Sequence, residues 1–99
     1  MLFSGSPIKR IGRNRFIRNV LIAIGNSSDR TLIDYTIRLL DDNSSLVRVA
    51  SIWALSRLSK KSFLLESDKR INLEKNKEVI NEWLQSKEDL KEIKLDSCI

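Results

Sequence analysis

The sequence contains no histidine and only one cysteine, Cys98, which stands next to the last residue. Without histidine, neither a serine–histidine nor a cysteine–histidine catalytic pair can form. A single cysteine also excludes an internal disulfide, a Cys/His zinc site and a cysteine-ligated iron–sulfur cluster. We therefore expect none of these sites in this chain. The Asp41-Asp42 pair and the glutamates near Trp83 are better explained as a turn and a solvated helix face, so we expect no catalytic residue and no metal or cofactor.

Proline, glycine and long apolar runs are scarce as well. One proline and three glycines in 99 residues favour helices over turn-rich β structure. No apolar run approaches the ~20 residues of a membrane span, and the run Val20–Ile24 is too short for the core of a signal peptide. These absences predict a helical, cytoplasmic protein without a membrane partner.

Carboxylates are few in the first part of the chain. Residues 1–61 hold 11 Lys/Arg and 4 Asp/Glu, a net charge of +7, whereas residues 62–99 hold 7 and 9, a net charge of −2. Five cations lie within Lys9–Arg18, a stretch with no acidic residue. Such a stretch suits a phosphate-bearing partner, but a solvated basic face accounts for the charge equally well.

Local signals place the first helices. Ser6 and Pro7 are typical of a helix start, and Gly12 is expected to interrupt the helix that begins there. The apolar spacing of the following residues predicts a long helix. Gly25 and Asn26 tolerate the left-handed conformation of a C-cap and are expected to end it.

Three later segments also have helical spacing. Thr31–Leu40 carries an apolar face after a capping sequence at Ser27–Asp29. Leu46–Leu58, capped by Ser44 or Ser45, is apolar nearly all round and is expected to lie between neighbouring helices. Leu73–Lys87 is predicted to be amphipathic, with an apolar face of Leu73, Val79, Ile80, Trp83 and Leu84.

An internal repeat connects the first and third of these helices. Ile17-Arg18 recurs as Val47-Arg48 at a spacing of 30 residues, and Ala23-Ile24-Gly25 recurs as Ala54-Leu55-Ser56 at 31. Helix pairs that repeat at about this length are typical of HEAT-like α-solenoids. The predicted fold class is all-α, a short HEAT-like α-solenoid of about four to five helices.

The prediction divides the chain into two segments. Residues 1–61 would form a HEAT-like repeat pair with a basic N-terminal edge, and residues 62–99 would form capping helices and a frayed, charged tail.

The arginines of the repeat also have a structural interpretation. Arg48 lies close in sequence to Asp41 and Asp42, and an ion-pair ladder is the favoured role for it. Arg18 has no acidic residue before it, so its partner would be Asp29 or would lie outside this chain.

Three sequence blocks resemble the C-terminal part of bacterial epoxyqueuosine reductase. Gly5–Gly12 fits the pattern G-S-x-I-[KR]-R-x-G, Arg18–Asn26 fits R-N-x-x-[IV]-A-[IL]-G-N, and Trp53–Leu55 fits a W-A-L-like segment. The resemblance covers residues 3–60, and beyond them only the helical character agrees. The first block is long and specific, whereas generic HEAT repeats share only endings like the second.

The resemblance implies a role in queuosine biosynthesis. That family reduces epoxyqueuosine to queuosine at the wobble position of tRNA, with cobalamin and two cysteine-bound iron–sulfur clusters. Its C-terminal HEAT-like helices help to hold the tRNA anticodon stem-loop. The cysteine pattern, the cobalamin pocket and the catalytic acid are absent from this sequence. The resemblance therefore implies a tRNA-binding module that is catalytically silent alone, a fragment of a truncated or split reductase.

The expected RNA-facing edge is built on four cations before or in the first turn of the long helix, where helix N-terminal N–H groups also favour phosphate. These are Lys9, Arg10, Arg13 and Arg15, and Arg18 and Asn19 are added to the same edge. Each cation could instead be solvated, and Asn19 could make a structural hydrogen bond. The aromatic residues Phe16, Trp53 and Trp83 are expected to pack in the core.

Other partners follow from the same reading. A separate catalytic chain could dock on the N-terminal edge, and the exposed ends of a short solenoid could drive self-association. The alternative function is a HEAT-like protein–protein adaptor whose basic and apolar surface binds an acidic peptide.

Overall fold

In the computed structural model, the backbone is described for residues 8–98 and the side chains for residues 12–90. This part of the chain forms five α-helices and one short 3-10 turn, Arg30–Leu32. The helices are α1 (Ile8–Ser27), α2 (Ile33–Leu39), α3 (Ser45–Leu58), α4 (Lys60–Arg70) and α5 (Lys77–Cys98). The all-helical prediction is confirmed for these residues.

Helix α1 is longer than the sequence signals predicted. It runs through Gly12 without interruption, because a glycine inside a helix weakens it by only about 1 kcal/mol. It also continues past Gly25 to Ser27, and Ser28 takes the left-handed conformation at φ 60°. Both predicted boundaries inside α1 are therefore wrong.

Gly25 has a packing role in place of the predicted capping role. A Cβ atom at this position would lie 3.0 Å from two carbons of the Trp53 ring and closer still to a third. Only glycine lets the backbone of α1 approach the indole of α3 this closely. The sequence signal for a turn therefore marks a close helix–helix contact.

The 3-10 turn, α3 and α4 begin with side-chain caps, whereas α2 follows the 3-10 turn without one. The Asp29 side chain accepts a hydrogen bond from the Thr31 backbone N–H and begins the 3-10 turn. The Ser44 side chain accepts one from Val47 N–H at the start of α3, as predicted. Ser59 links α3 to α4 alone, and its side chain accepts from Ser62 N–H.

Helix α3 lies at the centre of the molecule and contributes to two apolar clusters, as its all-round apolar character predicted. The first cluster joins it to α1 and comprises Leu21, Ile24, Val47, Ala50, Ala54 and Leu58. The second joins it to the later helices and comprises Leu40, Ile52, Leu55, Phe63, Val79 and Trp83. The predicted boundary between residues 61 and 62 falls inside α4, and the second cluster draws on both sides of it. The division into two segments itself stays a prediction.

The contacts between helix ends show how the helices alternate. Arg13 near the start of α1 meets Asp42 just before α3, and Arg30 after the end of α1 meets the Leu58 carbonyl at the end of α3. Helices α1 and α3 therefore run in the same direction. Arg48 at the start of α3 meets Glu74 just before α5, so α5 shares that direction and α2 and α4 run back.

Several apolar side chains are more exposed than predicted. Leu73 is 77% exposed in the loop before α5, and Leu84 is 51% exposed on α5 itself. The predicted apolar face of this segment is therefore wrong for these two leucines, because α5 begins only at Lys77 and turns Val79 and Trp83 toward the core. Trp83 is buried as expected and packs against Phe63 with ring centroids 5.4 Å apart.

Candidate nucleic-acid interface

Helix α1 carries the six residues predicted to face RNA. The backbone of Lys9 and Arg10 lies in its first turn, but their side chains fall outside the described residues. The Arg15 and Asn19 side chains are exposed, and Arg18 is half-buried. The Arg18 Nη2 donates to Asn19 Oδ1 at 3.1 Å, so these two neighbours hold each other.

Arg13 has a second role that its position in the sequence does not reveal. Its Nη2 lies 2.6 Å from Asp42 Oδ1 and its Nη1 lies 3.3 Å from Oδ2, so the guanidinium grips the carboxylate with both arms. The Arg13 side chain is 47% exposed, whereas the Asp42 side chain is 9% exposed. The ion pair therefore ties α1 to the loop before α3 and competes with any phosphate for Arg13.

The expected ladder at Arg48 has partners other than the two predicted carboxylates. The Arg48 Nη1 donates to the backbone carbonyls of Asp42 and Asn43 at 2.8 and 3.0 Å. Its Nη2 lies 3.2 Å from Glu74 Oε2. The structural interpretation of Arg48 is supported, but the carboxylate that it meets belongs to Glu74, since that of Asp42 is taken by Arg13.

A further ion pair completes this end of the molecule. Arg70 Nη1 pairs with Asp41, and Arg70 Nε donates to Glu66 Oε1 at 2.8 Å. We call this network the ionic end, and it comprises Arg13, Asp41, Asp42, Arg48, Glu66, Arg70 and Glu74.

The titration of the ionic end reflects these contacts. The hydrogen bond from Arg13 lowers the pKa of Asp42, outweighing the effect of burial, and the Ser44 backbone N–H lowers it further. Burial would lower the pKa of Arg70, but the hydrogen bonds to Asp41 and Glu66 outweigh it and raise that pKa. The Asp42 carboxylate and the Arg70 guanidinium are therefore both held in their charged forms.

The opposite ends of α1 and α3 carry a different set of cations. We call this surface the basic junction, and it comprises Arg30, Arg57, Lys60 and Lys61, all exposed. Arg30 Nη1 donates to the Leu58 carbonyl at 3.3 Å, and the Arg57 guanidinium lies 5.5 Å from the centre of the Trp53 ring. Among the described side chains, none of the four pairs with a carboxylate.

The basic junction is the feature that sequence reasoning missed. Arg30 stands 28 positions before Leu58, so nothing local in the sequence connects it with the cations of the α3–α4 connection. The only signal was the Lys60-Lys61 pair next to Arg57, and in the sequence it marked only the end of a helix. The 3-10 turn before α2 holds Arg30 at the end of α3, where its guanidinium donates to the Leu58 carbonyl.

Two large apolar side chains of α1 are exposed. Phe16 is 60% exposed and Ile22 is 43% exposed. The prediction that Phe16 packs in the core is wrong, because α3 covers the face of α1 that carries Leu21 and Ile24. Trp53 is half-buried against the first cluster, so its predicted packing holds for one side of the ring.

Two concavities are present on the described surface. One groove of 730 Å³ lies between Val49 of α3 and the exposed face of α5, and it is lined by Glu78, Glu82, Leu84 and Glu88 among others. A second, of 330 Å³, lies against the ionic end with Trp83 at its wall. Within residues whose side chains are described, no group of three or more Asp, Glu or Cys is arranged to hold a metal ion.

Comparison with known proteins adds one relative. A Geobacillus stearothermophilus protein described as "Uncharacterized protein in gldA 3'region" is 33% identical over 81 residues, which is 81% of this chain. The chain spans 38% of the length of that relative. No family model and no solved structure matches the chain. In the described part of the chain, no helix is both long enough and apolar enough to cross a membrane.

Proposed function

We propose that this chain is a tRNA-binding helical-repeat module of an epoxyqueuosine reductase, which holds the anticodon stem-loop and has no catalytic activity by itself. The observation that carries the proposal is the run of cations at the start of α1. Of the described members Arg13, Arg15 and Arg18, only Arg13 meets a carboxylate. Lys9, Arg10 and Arg18 of this run lie in the two sequence blocks that resemble the reductase, and Arg13 and Arg15 lie between those blocks.

The helix arrangement supports a short HEAT-like solenoid as the scaffold. Helices α1, α3 and α5 run in one direction with α3 between the other two, and α2 and α4 return the chain. The repeat at about 30 residues relates α1 to α3, and stacked helix pairs of this length are the unit of such solenoids. Each added pair would extend the same apolar core.

The interface that we propose contains fewer arginines than the six-residue prediction. Arg13 is engaged by Asp42 and serves mainly to fix α1. Lys9, Arg10 and Arg15 then form the phosphate-binding edge, with Arg18 and Asn19 beside it. Arginine forks onto phosphate and stacks on unpaired bases, and both contacts suit an RNA loop.

Cobalamin and iron–sulfur chemistry would come from elsewhere in this proposal. The chain lacks the cysteines that such clusters need, so reduction of the tRNA base would require a catalytic domain or a separate catalytic chain docked near α1. A cytoplasmic location accompanies the proposal, since tRNA is the ligand.

A charge-reversal experiment tests the proposal. The triple variant Lys9→Glu/Arg10→Glu/Arg15→Glu leaves the Arg13–Asp42 pair intact, and the matched control Arg38→Glu/Lys75→Glu/Lys77→Glu changes net charge equally at exposed positions. Fluorescence anisotropy of labelled tRNA at low salt should show an affinity loss of roughly 100-fold or more for the first variant. The control should lose much less. Equal losses in both, or no salt-sensitive binding by the unmodified chain, would contradict the proposal.

A protein–protein adaptor is the second candidate function, and the exposed Phe16 and Ile22 favour it. Aromatic and aliphatic side chains at the centre of an exposed face are typical anchors of protein interfaces. The same face could bind a catalytic chain or a second copy. Solution mass measured over a range of concentrations tests self-association, and a monomer at every concentration would count against it.

A further inference from the structure

The basic junction is a compact cluster whose members come from three elements. Arg57 belongs to the last turn of α3, Lys60 and Lys61 to the first turn of α4, and Arg30 to the 3-10 turn. The hydrogen bond from Arg30 to the Leu58 carbonyl holds the 3-10 turn against the α3–α4 connection. Because Ser59 is the only residue between α3 and α4, the other three cations cannot separate far.

The cations of this cluster remain available to a ligand. Asp29 is the carboxylate nearest in sequence, but its Oδ1 accepts hydrogen bonds from the Thr31 N–H at 3.0 Å and the Thr31 hydroxyl at 2.6 Å. These bonds lower the pKa of Asp29 and direct its charge into the turn. An arginine has five N–H donors, and the described contacts of Arg30 use one of them.

Trp53 orders one of the four cations in advance. The guanidinium of Arg57 lies over its ring, and three carbons of the six-membered ring pack closely against Gly25 of α1. A guanidinium held in this way loses less side-chain entropy when it binds an anion, which lowers the cost of association. This arrangement therefore favours phosphate binding more than a surface of freely moving, solvated cations would.

The surroundings favour a nucleic acid over a lipid surface. Helices that lie on membranes combine cations with large apolar side chains. One large exposed apolar side chain, Leu65 at 54%, stands one turn after Lys61, and none belongs to Arg57–Lys61 or to Arg30–Leu32. Four cations with a single leucine beside them fit backbone contacts to nucleic acid better than the broad apolar face of a helix that lies on a membrane.

We propose that the basic junction is a second contact surface for the RNA phosphate backbone, at the opposite end of α1 from Lys9 and Arg10. This inference rests on the proposed tRNA-binding function and extends it. Helix α1 has 20 residues and is about 30 Å long. The two surfaces would therefore contact phosphates that are well separated along one tRNA, and together they would orient it along α1.

The test compares two triple variants with equal charge change. Arg57→Gln/Lys60→Gln/Lys61→Gln removes three cations of the basic junction, and Arg38→Gln/Lys75→Gln/Lys77→Gln removes three exposed cations from outside both surfaces. Binding of labelled tRNA is measured against salt concentration, and thermal unfolding verifies that both variants fold. Vesicles of phosphatidylserine and phosphatidylcholine serve as a second probe.

The junction variant should bind tRNA roughly 10- to 100-fold more weakly at 0.1 M salt, and its salt slope should fall by about 2 to 3. The control variant should differ from the unmodified chain by less than about 3-fold. Unchanged slope and affinity in the junction variant, with binding still lost in the Lys9/Arg10/Arg15 variant, would overturn this inference and leave the proposed function intact. Binding to vesicles without any binding to tRNA would overturn both.

Discussion

The ionic end and the basic junction are both rich in cations, yet the described cations of the two groups have different partners. At the ionic end, Arg13, Arg48 and Arg70 each meet a carboxylate within the described structure. At the basic junction, Arg30 and Arg57 meet a backbone carbonyl and an aromatic ring. The cations of the ionic end are therefore engaged within the fold, whereas those of the junction make no described ion pair, and we propose that they bind RNA.

The difference follows from where the carboxylates lie. Asp41 and Asp42 lie in the loop between α2 and α3, and Glu66 and Glu74 also belong to the ionic end. Near the junction, Asp29 caps its own turn, and Asp34 in the first turn of α2 makes none of the described ion pairs. Net charge alone could not separate these roles, because both ends contribute cations to the same basic total.

The largest expected loss of stability comes from a substitution at the ionic end. Arg48→Met keeps the apolar stem but leaves Glu74 and the carbonyls of Asp42 and Asn43 without their donor. The side chains of Arg48 and Glu74 are only 19% and 15% exposed, so the free energy of unfolding should fall by about 2–3 kcal/mol. Urea denaturation measures this loss. A free energy of unfolding within about 0.5 kcal/mol of that of the unmodified chain would mean that the contacts of Arg48 do not stabilise the fold.

The next effect concerns the packing that supports the basic junction. Gly25→Ala places a methyl group against the Trp53 ring and should destabilise the chain by about 1–3 kcal/mol. Gly12→Ala in the same helix is the matched control, and there alanine should be neutral or stabilise by up to about 1 kcal/mol. Thermal unfolding of the two variants distinguishes the effect of the close contact with Trp53 from the general effect of replacing glycine in a helix. Equal stability of both would remove the close contact as the reason for glycine at position 25.

A smaller effect depends on pH and belongs to the ionic end. The pKa of Asp42 is lowered in the folded chain by Arg13, so its stabilising contribution is present at neutral pH. That contribution is lost as the pH falls from about 4, the ordinary pKa of Asp, through the lower folded-state pKa. It should amount to about 1 kcal/mol, because Arg13 is half-exposed and screened.

Asp42→Asn tests this prediction by removing the titrating group. Its unfolding free energy should start lower at pH 7 and fall less steeply between about pH 4 and 2 than that of the unmodified chain. Parallel curves for the two proteins would show that Asp42 does not titrate in the way its contacts require.

The smallest expected changes in stability are those of single variants at the basic junction. Lys60→Gln and Lys61→Gln remove cations that make no ion pair in the described structure, and each should change the free energy of unfolding by less than about 0.5 kcal/mol. Arg57→Gln should cost about 0.5–1 kcal/mol because it also loses the contact with Trp53. If the free energy of unfolding fell by more than about 2 kcal/mol for any of the three variants, that residue would be one that stabilises the fold.

The sequence was sufficient for the helical class and for the central position of α3. Residues Leu46–Leu58 are apolar nearly all round, and a helix of that kind is stable only when neighbours cover it. The caps at Asp29 and Ser44 were likewise readable, because a cap depends on side chains within three residues.

The candidate site was only partly predictable. Arg13 and Asp42 are 29 residues apart, and no local pattern shows that they meet. The exposure of Phe16 depends on which face of α1 is covered by α3. The apolar residues of α1 span a broad arc, and the sequence alone does not show which of them α3 will cover. Gly25 carried a turn signal that was overridden by its contact with Trp53.

The salt dependence of tRNA binding in two single variants, Arg13→Gln and Lys60→Gln, distinguishes structural cations from ligand-binding ones. Each variant removes one cation, the first from the ionic end and the second from the basic junction. Lys60→Gln should lower the slope of log K against log salt by about 1, whereas Arg13→Gln should leave the slope unchanged and lower only the stability. A slope that falls for Arg13→Gln and not for Lys60→Gln would contradict the division between structural and ligand-binding cations.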